Sequence, residues 1–292
     1  MAHKNAPTPR GQKLGQHFLF DQGILTKMAD AATLTPDSYV LEVGPGLGTL
    51  SEHLARRAAK LVVVELDGSL IPRLRENLAD FENCTIIHGD IMKVDLKEIW
   101  QTHFEGKPFH VVANLPYYIT TPIVMLFLEG DLPVRSLTIM VQKEVADRLA
   151  SPPGSRDYGV ISVAVQMRAE VCRLFIVPAG AFRPPPRVTS AVLRLDVRQE
   201  PAVVVTDEGL FYRTVRACFA ARRKTLRNNM VSGFGLKGDD AVAMLHSIGL
   251  RPEQRAEELS VEQFAALADR LHAAGFTAAS NQNKAASWDE EN

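Results

Sequence analysis

Two short segments carry residues whose types and spacing suit chemistry. The first is Glu42-x-Gly44-x-Gly46-x-Gly48, which follows the apolar run 39–43. Glycines allow positive φ and let the backbone approach a ligand closely, and a helix N-terminus just beyond them favours negative groups. Glu65 ends the next apolar run, about 20 residues on, where a carboxylate accepts from both hydroxyls of a ribose. Together they describe a site for an adenosine-containing cofactor at the carboxyl ends of strands. A plain βα turn that uses glycine only for packing is the alternative, and Glu65 at that distance weighs against it.

The glycine spacing also selects among cofactors. In the dinucleotide fingerprint G-x-G-x-x-G the third glycine falls three residues after the second. Here Gly48 comes two after Gly46, and Thr49 holds the expected place. Glu42 points a carboxylate at the turn itself. That charge repels a pyrophosphate but suits the amino group or sulfonium region of S-adenosylmethionine, so the turn reads as methyl-transferring rather than nicotinamide-binding. Asp90, in Gly89-Asp90-Ile91, is placed to accept from an adenine amino group, although a loop Asp is also a common turn residue.

The second segment is Asn114-Leu115-Pro116-Tyr117-Tyr118, after a further apolar run at 109–113. An exocyclic adenine amine is a poor nucleophile because its lone pair is delocalised into the ring. An amide oxygen and a nearby backbone carbonyl can accept its two N–H bonds and turn the nitrogen toward an incoming methyl group. Pro116 narrows the backbone conformations, and Tyr117 offers a face for a splayed-out base. The alternative is a strand-end turn whose Asn caps and whose tyrosines pack.

With Gly15-Gln16-His17-Phe18-Leu19 and Phe182-Arg183-Pro184-Pro185-Pro186-Arg187-Val188-Thr189-Ser190, these segments resemble the ribosomal RNA adenine N6-dimethyltransferase family. The matches run in family order from residue 11 to about 195, and His17 departs from the Asn common there. The resemblance implies that Gln16, His17 and Leu19 close the cofactor site. It implies that Gly44, Glu65, Asp90 and Asn114 hold S-adenosylmethionine, with Ile91 or Met92 against the adenine and Leu66 also among the cofactor-binding residues. Phe182 would stack on the target base opposite Tyr117, though a Phe beside three prolines could equally plug the core. It further implies repeated in-line methyl transfer to adenine N6. For the branch nearest this sequence, the targets are two adjacent adenosines near the 3′ end of 16S rRNA in the small (30S) ribosomal subunit. A cytoplasmic, monomeric enzyme without a metal is expected.

The elements that position these residues can be read from periodicity. Apolar runs at 39–43, 61–65, 84–87, 109–113 and 136–141 alternate with helical stretches at 49–58, 69–78 and 144–149. Runs at 171–177 and 190–197 lie close enough to pair antiparallel across the proline-rich segment 182–187. The expectation is an α/β fold with a Rossmann-like seven-stranded methyltransferase sheet over residues 1–200. Stretches 210–220, 222–231, 240–248 and 261–273 have helical periodicity, so residues 201–277 read as a small all-α RNA- or ribosome-binding domain. Residues 278–292, polar and acidic, read as a disordered tail.

Composition bounds the remaining classes. The 292 residues are 46% hydrophobic and 23% charged, long enough to bury a core without disulfides or metal. The run Ile123 to Leu128 is far short of the roughly 20 residues of a membrane span, and Cys84, Cys172 and Cys218 form no metal-ligand pairing. The 33 basic and 34 acidic side chains exclude a bulk polycation but not a local basic face. Such a face is expected from Arg183 and Arg187, flanked by Arg168, Arg173 and Arg194, and from Arg222, Arg223, Lys224 and Arg227 on a C-terminal helix. Arg222 to Lys224 have no acidic partner within several residues, which favours phosphate contact over an ordinary solvated face. The competing functions are a 23S rRNA methyltransferase of the antibiotic-resistance type, a non-catalytic small-subunit assembly factor and, more distantly, a nicotinamide dehydrogenase.

Overall fold

The computed structural model describes residues 17–278; Gln16 and residues 279–292 of the expected tail lie outside the described residues. The chain begins with a two-residue strand β1 (Phe18–Leu19) and helix α1 (Gln22–Ala31). An alternation then follows: β2 (Tyr39–Val43), α2 (Thr49–Ala55), β3 (Lys60–Glu65), α3 (Ile71–Asn77), β4 (Cys84–His88), α4 (Leu96–Phe104), β5 (Phe109–Asn114), α5 (Thr120–Leu128), β6 (Val134–Gln142) and α6 (Lys143–Leu149). Next come α7 (Val160–Arg168), β7 (Ala169–Val177), a short β8 (Phe182–Arg183) and β9 (Ser190–Val197). Four helices end the described chain: α8 (Glu208–Phe219), α9 (Leu226–Phe234), α10 (Gly238–Ser247) and α11 (Val261–Ala273).

Seven strands form one sheet in the order β4-β3-β2-β5-β6-β9-β7. The first five are parallel, and β9 joins β6 and β7 antiparallel. The chain runs outward from β2 through β3 to β4, then returns to start the other half at β5. The carboxyl ends of β2 and β5 therefore flank a topological switch point, where open α/β sheets bind ligands. Register brings the ends level: Val43 pairs with both Val64 and Ala113, Glu65 with His88 and Asn114 with Met140.

Alternation along β2 explains the layers. Val40 faces a cluster built with Leu25 and Met28 of α1, Leu50 and Leu54 of α2 and Leu74 of α3. Leu41 and Val43 face the opposite cluster with Ile99, Ile123 and Phe127. That second cluster continues without a break through Leu149, Tyr158 and Val163 into Phe211, Val215, Phe219 and Phe264 of the C-terminal helices. Period-two burial of both faces is what a parallel sheet covered by helices requires.

The C-terminal helices start where caps place them. Asp207 accepts from Leu210 N at the head of α8, and Ser260 with Gln263 forms a capping box on α11. Thr225 caps α9, accepting from Asn228 N, so that helix begins at Leu226 rather than at 222. Arg222, Arg223 and Lys224 consequently lie in the turn before it.

Arg222 is a correction to the expected phosphate-binding run. Its Nη2 donates to the carbonyls of Arg156 (2.6 Å) and Tyr158 (3.0 Å), and it lies 3.8 Å from Glu257. Gly154 N also donates to Glu257 O, so Arg222 fastens the loop 151–159 to the C-terminal helices. The acidic partner is absent from the local sequence because it comes from 35 residues further on. Replacing Arg222 by Ala should lower unfolding free energy in urea by about 1–2 kcal/mol, below the roughly 1.5–3 kcal/mol of buried charged hydrogen bonds because the side chain is half exposed. Limited proteolysis should then cut first within residues 152–157; unchanged stability and cleavage would remove this role.

Candidate active site

A cavity of about 290 Å³ opens at the switch point between β2 and β5. Its walls include His17, Leu19, Glu42, Gly44, Gly46, Glu65, Leu66, Asp90, Ile91, Asn114, Leu115, Pro116 and Tyr117. Thus strand ends separated by more than 70 residues in the chain meet on one surface.

Gly44, Gly46 and Gly48 all have positive φ, from 60° to 84°, as a turn between β2 and α2 demands. A Cβ on Gly44 would project into open space, whereas one on Gly48 would fall 2.9 Å from Leu74 Cδ1. Gly48 is absent from the cavity wall and acts as the left-handed N-cap of α2. This corrects its expected role in ligand contact to one in turning and packing.

Glu65 is nearly buried, yet neither oxygen is idle. Oε2 accepts from Gly46 N at 2.9 Å and Oε1 from Asp67 N at 2.8 Å. Burial raises its pKa, and those backbone donors pull it back only partly. Each oxygen keeps a lone pair for a ligand hydroxyl. Asp90 is half-committed in the same way: Oδ1 accepts from Met92 N at 3.0 Å and Oδ2 lies 3.3 Å from Lys93 Nζ.

Glu42 differs from both. It is 2% exposed, and its Oε2 is buried without a hydrogen-bond partner. Burial pushes its pKa up to about 8; the Ser51 hydroxyl offsets a little of this and the nearby Glu65 adds to it. A buried acid with one unpartnered oxygen beside an open glycine turn is an unfinished site that a cation completes. The residues present therefore fit a cationic cofactor carrying a ribose.

At the end of β5, Leu115 N donates to Met140 O at 3.1 Å, which fixes the backbone where Asn114 leaves the sheet. The Pro116 carbonyl accepts from Ile119 N (3.2 Å) and the Thr120 hydroxyl (3.3 Å), closing a single turn of 3₁₀ helix over residues 117–119. The Tyr117 hydroxyl lies 2.6 Å from Ser190 Oγ, a partner that no local sequence signal marks. Tyr118, 65% exposed, also lines the cavity.

Phe182 overturns an expectation. It is 2% exposed, pairs with Leu19 across the β1–β8 ladder and belongs to the apolar cluster under α1, away from the cavity wall. In this structure its side chain packs with the core and does not reach the cavity wall. Among the arginines, Arg168 is paired with Glu208, Arg173 with Asp147 and Arg194 with Asp196. Arg183, Arg187, Arg223, Lys224 and Arg227 are exposed, as is Arg222, whose Nη2 is engaged within the chain. Arg183 lies with its guanidinium 4.2 Å from the centroid of the Phe20 ring.

A doubly wound sheet with an acid-lined cavity at its switch point, and an Asn-x-Pro-Tyr turn beside it, defines a Rossmann-like methyltransferase fold. The family description "Ribosomal RNA adenine dimethylase" matches residues 10–273. Two relatives named "Ribosomal RNA small subunit methyltransferase A" are 46% identical: one from Shouchella clausii over 266 residues, one from Bacillus mycoides over 264. They cover 89% of this chain and 89% and 90% of their own lengths. A dimethyladenosine transferase from Plasmodium falciparum shares the fold, with TM-score 0.77 and 22% identity, covering 90% of this chain and all of that one. The 23S rRNA methyltransferase ErmE superposes with TM-score 0.68 and 28% identity over 87% of this chain and 99% of its own. The chain belongs to the ribosomal RNA adenine dimethylase family and is a methyltransferase of ribosomal RNA adenine. No helix among the described residues is long and apolar enough to cross a membrane.

The raised pKa of Glu42 makes a signed prediction. A cation bound beside Glu42 stabilises its ionised form, so binding releases a proton wherever the free site is protonated. Affinity for S-adenosylmethionine, measured by calorimetry, should rise with pH from 6 toward about 8 and then level off. Glu42→Gln should flatten that rise. The same group works against folding: the unfolded acid ionises near 4.5 while the folded one holds its proton, so its contribution to stability falls between pH 4.5 and 8. A wild-type affinity independent of pH would contradict this reading.

Proposed function

We propose that this chain transfers methyl groups from S-adenosylmethionine to N6 of two adjacent adenosines near the 3′ end of 16S rRNA in the small ribosomal subunit. The observation that carries the reading is that Asn114 and Leu115 line the same cavity as Glu42 and Glu65. When bound, S-adenosylmethionine supplies an electrophilic methyl group on a sulfonium. Glu65 offers its remaining lone pairs to the ribose hydroxyls, Glu42 supplies the compensating charge, and Asp90 and Ile91 border the adenine.

Asn114 and a backbone carbonyl then orient the target amine. The Pro116 carbonyl is already engaged by Ile119 and Thr120, while the Leu115 carbonyl has no hydrogen bond among the described residues. Leu115 O and Asn114 Oδ1 are thus the acceptors for the two N–H bonds. They turn the nitrogen lone pair out of conjugation and toward the donor, so positioning and charge complementarity lower the barrier. The methylated nitrogen, briefly cationic, loses its proton to water. Tyr117 stacks on the extruded base.

Arg183, Arg187, Arg223, Lys224 and Arg227 supply phosphate contacts, with the helices of residues 201–277 docking on the subunit and residues 1–200 catalysing. The 46% identity to relatives named for the small subunit, against 28% to the 23S enzyme ErmE, favours the small subunit as substrate. A cytoplasmic monomer fits this reading.

Purified protein given radiolabelled S-adenosylmethionine should label unmethylated small subunits, and not large subunits or naked 23S RNA. Label confined to 23S RNA would overturn the substrate. Asn114→Ala should lower the rate on the order of 10²-fold, as expected when a reacting group loses its positioning, without lowering affinity for the small subunit. Full activity in that variant would sink the mechanism.

A further inference from the structure

A second cleft, of about 440 Å³, opens at the end of β6, the strand next to the one that carries Asn114. Gln142, Lys143, Asp147, Asp157, Val188 and Thr189 are among its walls. Gln142 pairs with Ser190 of β9, and Ser190 holds the Tyr117 hydroxyl. A wall of the cleft is therefore tied to a wall of the cavity. Alternation sets which way Gln142 projects. Val112 and Met140 both lie in the cluster under α1, so Asn114 and Gln142, two residues further along β5 and β6, stand on that same face. Asn114 pairs with Met140. With strands about 4.8 Å apart and a rise of about 3.3 Å per residue, the Cα atoms of Asn114 and Gln142 are about 8 Å apart. Two bases stacked about 3.4 Å apart cannot reach both amides, whereas two bases splayed apart can.

The chemistry of the cleft suits a base. The Gln142 side chain is half-buried and has no hydrogen-bond partner among the described residues. Its amide offers an acceptor and donors side by side, the pattern that pairs with N6–H and N7 of adenine. Asp147 is neutralised by Lys143 and Arg173, and the exposed Asp157 is a further acceptor for an amino group. Acids here repel a phosphate, but a phosphate contact stands just outside. Arg187, exposed and without an ion pair among the described residues, directly precedes Val188 and Thr189. Val188, 43% exposed, gives an apolar wall for the face of a ring. The Thr189 carbonyl accepts from Lys143 N at 2.9 Å, which fastens that wall to the start of α6. The stretch 187–190 thus runs from a phosphate contact, past a wall for a base, to the tether of Tyr117.

We propose that this cleft receives the nucleotide adjacent to the target adenosine and that Gln142 reads its base as adenine through N6–H and N7. The assignment rests on the reading that two adjacent adenosines are the substrate. It gives selection of the pair to a residue outside the cofactor cavity: while one adenosine is extruded beside Asn114, its neighbour is held apart from it at Gln142.

Full-length wild type, Gln142→Ala and Gln142→Glu are compared on unmethylated small subunits carrying the adenosine pair, and on subunits in which either adenosine is replaced by guanosine. Methylation of each adenosine is resolved by mass spectrometry, and each protein is titrated with S-adenosylhomocysteine by calorimetry. On the natural pair, Gln142→Ala should lower kcat/KM at one adenosine roughly five- to 150-fold, the range for one bidentate base contact. Its affinity for S-adenosylhomocysteine should stay within about twofold of wild type. Wild type should lose a similar factor at that adenosine when its neighbour is guanosine, because O6 replaces the N6–H donor. Gln142→Ala should methylate it equally well beside either base. Gln142→Glu, unable to donate to N7, should behave like Gln142→Ala. Unchanged kcat/KM in Gln142→Ala overturns the proposal. So does a matching loss of S-adenosylhomocysteine affinity, or a Gln142→Ala that keeps the wild-type penalty for guanosine. If Gln142→Ala fails to fold, the same comparison with Gln142→Glu decides. Wild type that leaves natural subunits unlabelled defeats the functional reading itself, whereas active wild type with an indifferent Gln142→Ala defeats only this assignment.

Discussion

The Glu65 carboxylate bridges Gly46 N and Asp67 N, and the rest of the site depends on that bridge. It ties the glycine turn after β2 to the end of β3, holding the turn open above the sheet. Parallel register then does the remaining alignment, because Val43, Glu65 and Asn114 all end their strands at the same edge. Since β2 and β5 are sheet neighbours from opposite halves of the winding, the cofactor turn and the Asn114 turn face one cavity. Two turns distant in sequence are thereby brought together without any long loop.

The cavity concentrates electrostatic cost. Glu42 and Glu65 are both nearly buried and both have raised pKa values, chiefly through burial. Glu65 is compensated at both oxygens, Glu42 only a little, by the Ser51 hydroxyl. Glu42 keeps an unpartnered oxygen, which the two surrounding apolar clusters hold in place. A site left electrically incomplete binds the group that completes it, and a sulfonium or ammonium does so where a pyrophosphate would add to the repulsion. Rigidity from the core and incompleteness at the strand ends are two sides of the same selectivity.

Much of this was legible in the residues. The alternating apolar runs mark the seven strands, and the antiparallel pair at 169–177 and 190–197 follows from their closeness across the prolines. Glu42, Gly44, Gly46, Glu65, Asp90 and Asn114 all line the cavity, because short-range spacing at strand ends translates directly into position. What failed depended on contacts distant in sequence. Phe182 is core because Leu19 and α1 cover it, and Arg222 is engaged because loop 151–159 and Glu257 meet it. Gly48 serves Leu74 rather than a ligand. The near-balance of 33 basic and 34 acidic residues likewise concealed which cations are paired: Arg168, Arg173 and Arg194 are, whereas Arg223 and Lys224 stand exposed in the turn before α9.

The account turns on which atom receives the methyl group. Small subunits incubated with the protein and S-adenosylmethionine can be digested at the 3′ end of their 16S rRNA and the nucleosides resolved by mass spectrometry. Two adjacent N6,N6-dimethyladenosines are the predicted product, since in the proposed mechanism Asn114 Oδ1 and Leu115 O accept from an exocyclic amine and leave its lone pair facing the donor. Methyl groups found on ribose, on ring nitrogens or on a base other than adenine would contradict it.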